Sequence, residues 1–339
     1  MPVLDVFKQD AFSVKALTDA INAEEFIPGI AGQVVGWQES GVTTTSIMLE
    51  EKSGVIRLVD PTPRGYPGAP GEKAKRTARS LTIPHYEVPG AVMADEVQGI
   101  RAFGSESEVE TVFGKVASVL REAVQLALDP TLEHQRVGAL KGLITDGSGN
   151  TIYNLFTEFG VSQESEQNLE LDVDNSATGA LVKAINAVIR LVAKNLGNAP
   201  YRGIVAFCGD TFYDQLITNK EVVNTYLNWQ AAEGYRVGVG MPFEAFPFRG
   251  ITWINYRGAV GGTDFVTATK AHIFPVGVPG LFRTYYAPAD YIETVNTVGL
   301  PRYARQWEMP NGKGINVDVQ MNALNICTRP KVLIQARNT

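Results

Sequence analysis

The sequence is poor in cysteine, histidine and charge, and each shortage closes off a class of protein. Two cysteines, Cys208 and Cys327, in 339 residues cannot build a disulfide framework. A reducing cytoplasm is therefore the expected setting. The three histidines, His85, His134 and His272, stand far apart. No His-x-x-x-His or Cys-x-x-Cys spacing places ligands on one metal ion. Charged residues make up 19% of the chain, against roughly 25% in soluble domains. A monomer needs charged surface to stay soluble, so the shortfall points to surface covered by partners. The 30 Lys and Arg against 36 Asp and Glu leave a net charge of -6. An acidic chain without a basic tail does not grip phosphates over a long footprint, though it can enclose nucleic acid.

Long apolar runs are missing too. The most apolar helical stretch, Leu181 to Leu196, is interrupted by Lys183, Arg190 and Lys194, which argues against a membrane span. The opening Met1-Pro2-Val3-Leu4-Asp5 lacks the basic and apolar regions of a signal peptide. Catalytic motifs fail one by one. Gly71-Glu72-Lys73 and Gly312-Lys313-Gly314 lack the Gly-Lys-Ser/Thr ending that a phosphate loop needs. Gly147-Ser148-Gly149 reads as a hairpin turn rather than a Gly-x-Ser-x-Gly elbow. Cys208 lies in an apolar run and reads as a small core residue. The acidic stretch around Glu164 lacks the Asp-x-Asp-x-Asp-Gly order of a calcium loop. No catalytic residue, cofactor or metal site is expected.

What is present is an ordered series of segments. Residues 1–33 read as an arm, with Ser13 capping a short helix that carries Val14, Leu17 and Ile21 and ends at Pro28-Gly29. Thr43–Leu49 and Val55–Val59 flank Glu51-Lys52-Ser53-Gly54 and predict a local hairpin. The run Asp60–Gly71 is full of Pro and Gly and holds no regular structure. Basic residues Lys73, Lys75, Arg76 and Arg79 follow, and a strand returns over Ser80–Val88. This excursion has too few apolar residues to bury itself, so it is expected to be either mobile or laid on another molecule.

From Glu106 the period becomes helical, with Val109, Val112, Phe113, Val116, Val119, Leu120 and Val124 on one stripe. Asp129-Pro130 should break or kink this helix, with a second piece running to about Leu140. A hairpin follows, Leu143–Thr145 and Ile152–Phe156 around Asp146–Asn150. Residues 160–175 are acidic and read as a crossing between lobes. A helix carrying Leu181, Ile185, Val188, Ile189, Val192 and Leu196 comes next, then a buried strand, Gly203–Cys208. Phe212–Asn228 looks helical. The remainder, from Phe243, is rich in strands.

This order resembles the major capsid proteins of lambda-type tailed phages, the phage capsid protein E family. The resemblance is carried by Pro67-Gly68 through Thr82-Ile83-Pro84-His85, by Gly280–Tyr285, by Tyr303–Trp307, and by Met321–Val332 with its Arg329-Pro330 between apolar strands. It covers almost the whole chain and rests on the ordered set rather than on one motif. It implies an α+β Hong Kong 97-type capsid fold. The implied parts are an N-terminal arm (1–39), an extended β-hairpin loop (40–90), a peripheral domain with a long spine helix (91–174), an axial domain (175–280) and the completion of the peripheral domain (281–339).

The resemblance further implies a structural protein that assembles as hexamers and pentamers into an icosahedral head around double-stranded DNA, without sequence-specific binding. Its expected partners are other copies of itself, a portal protein, a scaffold or assembly protease, and a decoration protein. The expected location is the virion, after assembly in the host cytoplasm. Inter-subunit contact is assigned to the loop residues Arg64, Tyr66, Lys73, Lys75, Arg76 and Arg79. Lys73 and Lys75 sit where some relatives of this fold crosslink, but lambda-type members are not known for that chemistry and none is expected. The competing readings are an encapsulin-like compartment, which shares the fold, and an α/β hydrolase using Cys208 or Ser148.

Overall fold

The structure, a computed structural model, describes residues 14–23, 29–53, 75–96, 112–171, 179–197, 199–227, 245–260 and 262–338. Ser13, Pro28 and the Pro/Gly-rich run lie outside these. The first helix, α1 (Val14–Ala23), buries Leu17 and Ile21 as its apolar spacing predicts. A second short helix, α2 (Ile30–Val35), follows Gly29 and was not expected. Next come β1 (Gln38–Gly41), β2 (Ser46–Ser53), β3 (Lys75–Thr82) and β4 (Tyr86–Met93).

The hairpin differs from the expected one. Strand β2 runs straight through Glu51-Lys52-Ser53, and its antiparallel partner is β3, with Ser46 opposite Thr82 and Ser53 opposite Lys75. This register sets Ile47 directly across from Leu81, and both are buried at the hairpin base. That apolar cross-strand pair favours the distant partner over a local turn. Val55–Val59 lie outside the described residues. The returning strand is also two strands rather than one. Pro84, which cannot donate to a ladder, separates β3 from β4, and β4 joins a different sheet.

The helical stripe forms α3 (Val112–Ala123) and α4 (Asp129–Lys141). The predicted break at Asp129-Pro130 is replaced by a π turn, Val124–Leu128. The wider i→i+5 loop accommodates the N–H that Pro130 lacks. The Thr131 hydroxyl donates to the Ala127 carbonyl at 2.7 Å beside the interrupted ladder. Gly142 then ends α4 at φ 79°, where a β-carbon would come within 2.3 Å of the Phe156 ring.

After α4 come β5 (Leu143–Thr145), β6 (Thr151–Asn154), α5 (Leu155–Glu158) and β7 (Gln167–Asn168). The Asp146 carboxylate closes the β5–β6 turn by accepting from the Ser148 and Asn150 backbones at 2.9 and 2.8 Å. Helix α6 (Ala180–Leu196) buries Leu181, Ile185, Val188, Val192 and Leu196 along one face. Beyond it lie β8 (Gly203–Cys208), α7 (Asp210–Thr218), α8 (Lys220–Leu227), β9 (Ala245–Phe248) and β10 (Ile251–Asn255). A small ribbon of β11 (Ala259–Val260) and β12 (Thr263–Asp264) follows, then β13 (Lys270–Val276), β14 (Phe282–Tyr286), β15 (Tyr303–Glu308), β16 (Gly314–Met321), β17 (Ala323–Cys327) and β18 (Ile334–Arg337).

Among the described residues, three sheets of three or more strands form the body, and the pairs β2-β3, β5-β6 and β11-β12 stand as separate two-stranded ribbons. The largest runs β7-β18-β13-β8-β10-β9, with the buried strand β8 near its centre. The second is β1-β14-β17 and the third is β15-β16-β4. Two main apolar cores result. In one, Ile315, Val317, Val319 and Met321 alternate along β16 and meet Val116, Leu120, Val124 and Leu128 of the long helix. In the other, the six-stranded sheet packs with α6, α7 and the inner end of α4 through Val137, Ala139 and Leu140. The long helix therefore joins both cores.

Candidate functional site: the hairpin base and the surfaces around it

Of the contact residues expected from the sequence, Arg64, Tyr66 and Lys73 lie outside the described residues. Lys75 and Arg76 stand on the β3 backbone opposite Ser53 and Lys52, at the outer end of the hairpin. Arg79 stands nearer the base, opposite Leu49. Among the described residues, strands β2 and β3 pair only with each other in a two-stranded ribbon, about 26 Å long at roughly 3.3 Å per residue. An isolated ribbon of this kind is marginal in water. Its anchor is Ile47, Leu81 and the following Ile83, which enter the main core, while Met48 is 72% exposed.

Arg79 points into a cavity of about 420 Å³ beneath the hairpin. The cavity wall is made by Met48, Leu49, Phe159, the turn Val278–Leu281 and the polar groups Tyr285 and Thr328, with Arg283 of β14 and Arg329 after β17. Among the described residues, three arginines thus line one cavity and no acidic residue does. Arg79 Nε and Arg283 Nε are buried and have no hydrogen-bond partner. Arg283 donates to the Tyr285 hydroxyl at 3.2 Å, and Arg329 to the Leu196 carbonyl at 3.1 Å. The guanidinium ends of Arg79 and Arg283 lie against Gly160 (φ 59°) and Gly280 (φ 69°), at 3.2 and 2.9 Å from where β-carbons would stand. Sequence reasoning placed Arg79 on a contact loop and missed Arg283 and Arg329. The available signal was an arginine set inside Phe282-Arg283-Thr284-Tyr285 and another between two apolar strands.

Two other buried arginines are matched by carboxylates. Arg302 meets Asp129 at 2.5 Å and Arg136 meets Glu39 at 2.6 Å, tying the long helix to β1 and to the segment before β15. Burial raises the Asp129 carboxyl, and Arg302 opposes the rise. Glu133 accepts from the Ala31 backbone at 2.7 Å and from the Tyr256 hydroxyl at 2.9 Å. Burial raises its carboxyl as well. A second exposed feature is apolar: Ile292 is 88%, Val295 62% and Val298 59% exposed on the segment between β14 and β15. Clustered exposure of this kind marks contact surface.

The residues named for a hydrolase are not assembled into a site. Cys208 is fully buried, and burial pushes its thiol well above the normal range. Ala271 stands across from Cys208 and Phe207 across from His272, so His272 faces the opposite side of the sheet from Cys208. Ser148 sits in the exposed β5–β6 turn. Among the described residues no three His, Cys, Asp or Glu side chains gather as metal ligands, and no helix is long and apolar enough to cross a membrane.

Comparison with known proteins assigns these features a context. The profile of the family described as phage major capsid protein E matches residues 13–338. The major capsid protein of Pseudomonas phage KPP10 is 26% identical over 352 aligned positions, covering 97% of both chains. That of Salmonella phage Felix O1 is 23% identical, covering 95% of both. Among solved structures, a prophage capsid protein from E. coli CFT073 superposes with a TM-score of 0.60 at 12% identity, covering 95% of this chain and 99% of that one. The capsid subunit of cyanophage A-1(L) superposes at 0.52 and 12% identity, covering 93% and 94%.

Proposed function

The chain belongs to the phage major capsid protein E family, and from that premise we propose how it builds a shell. It is a structural major capsid protein of a tailed phage with the Hong Kong 97-type fold, not an enzyme. In our reading, copies associate as hexamers and pentamers into an icosahedral head that encloses double-stranded DNA without reading its sequence. The observation that carries this is the β2–β3 ribbon, whose two strands have no other sheet partner among the described residues. Such a ribbon gains order by lying on an adjacent copy, with Arg64, Tyr66, Lys73, Lys75, Arg76 and Arg79 supplying contacts. Each exposed ion pair contributes only about 0–1 kcal/mol. Many such contacts add up once a closed shell holds them together, and their individual weakness lets misplaced subunits leave.

The arm, extended loop, peripheral and axial divisions inferred from the resemblance fit this scheme. So does the junction role of the long helix, which keeps two cores rigid while the hairpin adapts to five- and six-fold settings. A portal protein, a scaffold or assembly protease and a decoration protein complete the proposed partner set. The proposed location is the virion, after assembly in the host cytoplasm.

Deletion of residues 55–73 tests the hairpin role. It leaves Gly54-Ala74 between Ser53 and Lys75, a Gly-x pair suited to a tight two-residue hairpin turn, so β2 and β3 keep their register. The variant should be folded, with the far-UV dichroism and unfolding midpoint of the parent. Negative-stain microscopy should show no closed shells where the parent forms them. Normal shells from the deletion variant would refute the hairpin role.

A further inference from the structure

We propose that the cavity beneath the hairpin is a receptor for a carboxylate side chain of a second copy of this chain. The proposal deepens the shell-building reading and rests on it. Its basis is an imbalance. Arg79, Arg283 and Arg329 line one cavity that no acid lines among the described residues, and two of their Nε groups are buried with no acceptor. None of the three forms a salt bridge among the described residues, whereas Arg136, Arg257, Arg302 and Arg305 all do. A buried donor without an acceptor is destabilising, more so when charged. Three like charges at close quarters add repulsion. An arrangement of this kind is unfavourable in the lone subunit and becomes favourable when an anion enters.

A planar guanidinium presents paired N–H groups that match the two oxygens of a carboxylate. The volume, about 420 Å³, holds an acidic side chain together with the backbone that carries it. The site also sits where β3 leaves the body, against β14 and the residue after β17. That is the base of the element proposed to reach a neighbour. Identical copies supply the complement, since the whole chain carries 36 acidic against 30 basic residues. Filling the cavity from a neighbour couples assembly to the removal of a local strain: the subunit is less stable alone than with its arginines neutralised, and closing the contact reverses that.

The test uses the full chain and Arg283→Gln, which removes a charge away from the hairpin, with Arg79→Gln as a second variant. Unassembled Arg283→Gln should melt at or above the temperature of the parent, because repulsion is relieved. Its shell yield at equal protein concentration should fall at least tenfold. A cryo-microscopy map of the parent shell should place a carboxylate of an adjacent copy within about 4 Å of the Arg283 guanidinium, the distance of an ion pair. Parental assembly of both variants would overturn the proposal. So would a map with the cavity empty, or one holding only a small anion such as inorganic phosphate. A parent chain that forms no shells at all would instead remove the shell-building reading and the proposal with it.

Discussion

Lowering the pH from 7 to 5 should cost the unassembled subunit about 2 kcal/mol through His272 alone. His272 lies on β13 in the six-stranded sheet and is only 8% exposed. Burial, with smaller contributions from Lys141 and Lys270, pushes its imidazole down to about 3 from 6.5. The sign follows from which state takes the proton. As pH falls below 6.5 the unfolded chain binds a proton that the folded chain refuses. The stability is therefore complete above 6.5 and is lost as pH falls toward 3. At pH 5 the unfolded imidazole is about 1.5 units below its own value, and at 1.36 kcal/mol per unit the loss is about 2 kcal/mol. Urea unfolding, followed by the fluorescence of the buried Trp253, gives the stability of the parent and of His272→Leu at both pH values. The parent should lose about 2 kcal/mol more than the variant. Equal losses in the two proteins, or an imidazole signal in NMR that titrates near pH 6, would refute the reasoning.

Four further outcomes follow from packing and pairing. Leu120→Ala opens a void between α3 and β16, where Leu120 is 4% exposed, and should cost about 2–5 kcal/mol in denaturant unfolding. Leu126→Ala, on the π turn and 76% exposed, should stay within about 0.5 kcal/mol of the parent. Arg302→Ala strands Asp129 in a partly buried site and should lower unfolding stability by about 3–5 kcal/mol. Gly299→Ala forces a β-carbon to within 2.0 Å of the Tyr286 carbonyl oxygen. The backbone beside β1 would have to shift, lowering the melting free energy by about 1–3 kcal/mol or more.

Elements whose pattern repeats locally were legible from residues alone. The stripe Leu181–Leu196 became α6, the apolar run Gly203–Cys208 became a buried strand, and Asp146–Asn150 became a turn. Elements decided by distant partners were not. Val55–Val59 read as the second hairpin strand and Lys75 as part of a basic stretch before a strand at Ser80, whereas the partner of β2 begins at Lys75 and sets Leu81 across from Ile47. A π turn has the same residue types as the helix around it, so Pro130 read as a break. Of the candidate site, Arg79 was visible because it closes a basic run. Arg283 and Arg329 lie 46 residues apart in sequence, and their convergence depends on two sheets and a turn.

Strand order also has a consequence during synthesis. Strand β16 is the middle of its sheet, between β15 and β4, and β18 is inserted between β7 and β13. Roughly 220 residues separate the end of β4 from the start of its partner β16, which at 5–20 residues per second is about 10–40 s of translation. A nascent chain on the ribosome therefore carries open ladder edges where its final strands will dock. Until those strands emerge, the open edges are templates on which another growing polypeptide can pair, so this stretch of synthesis is the one most exposed to misassociation.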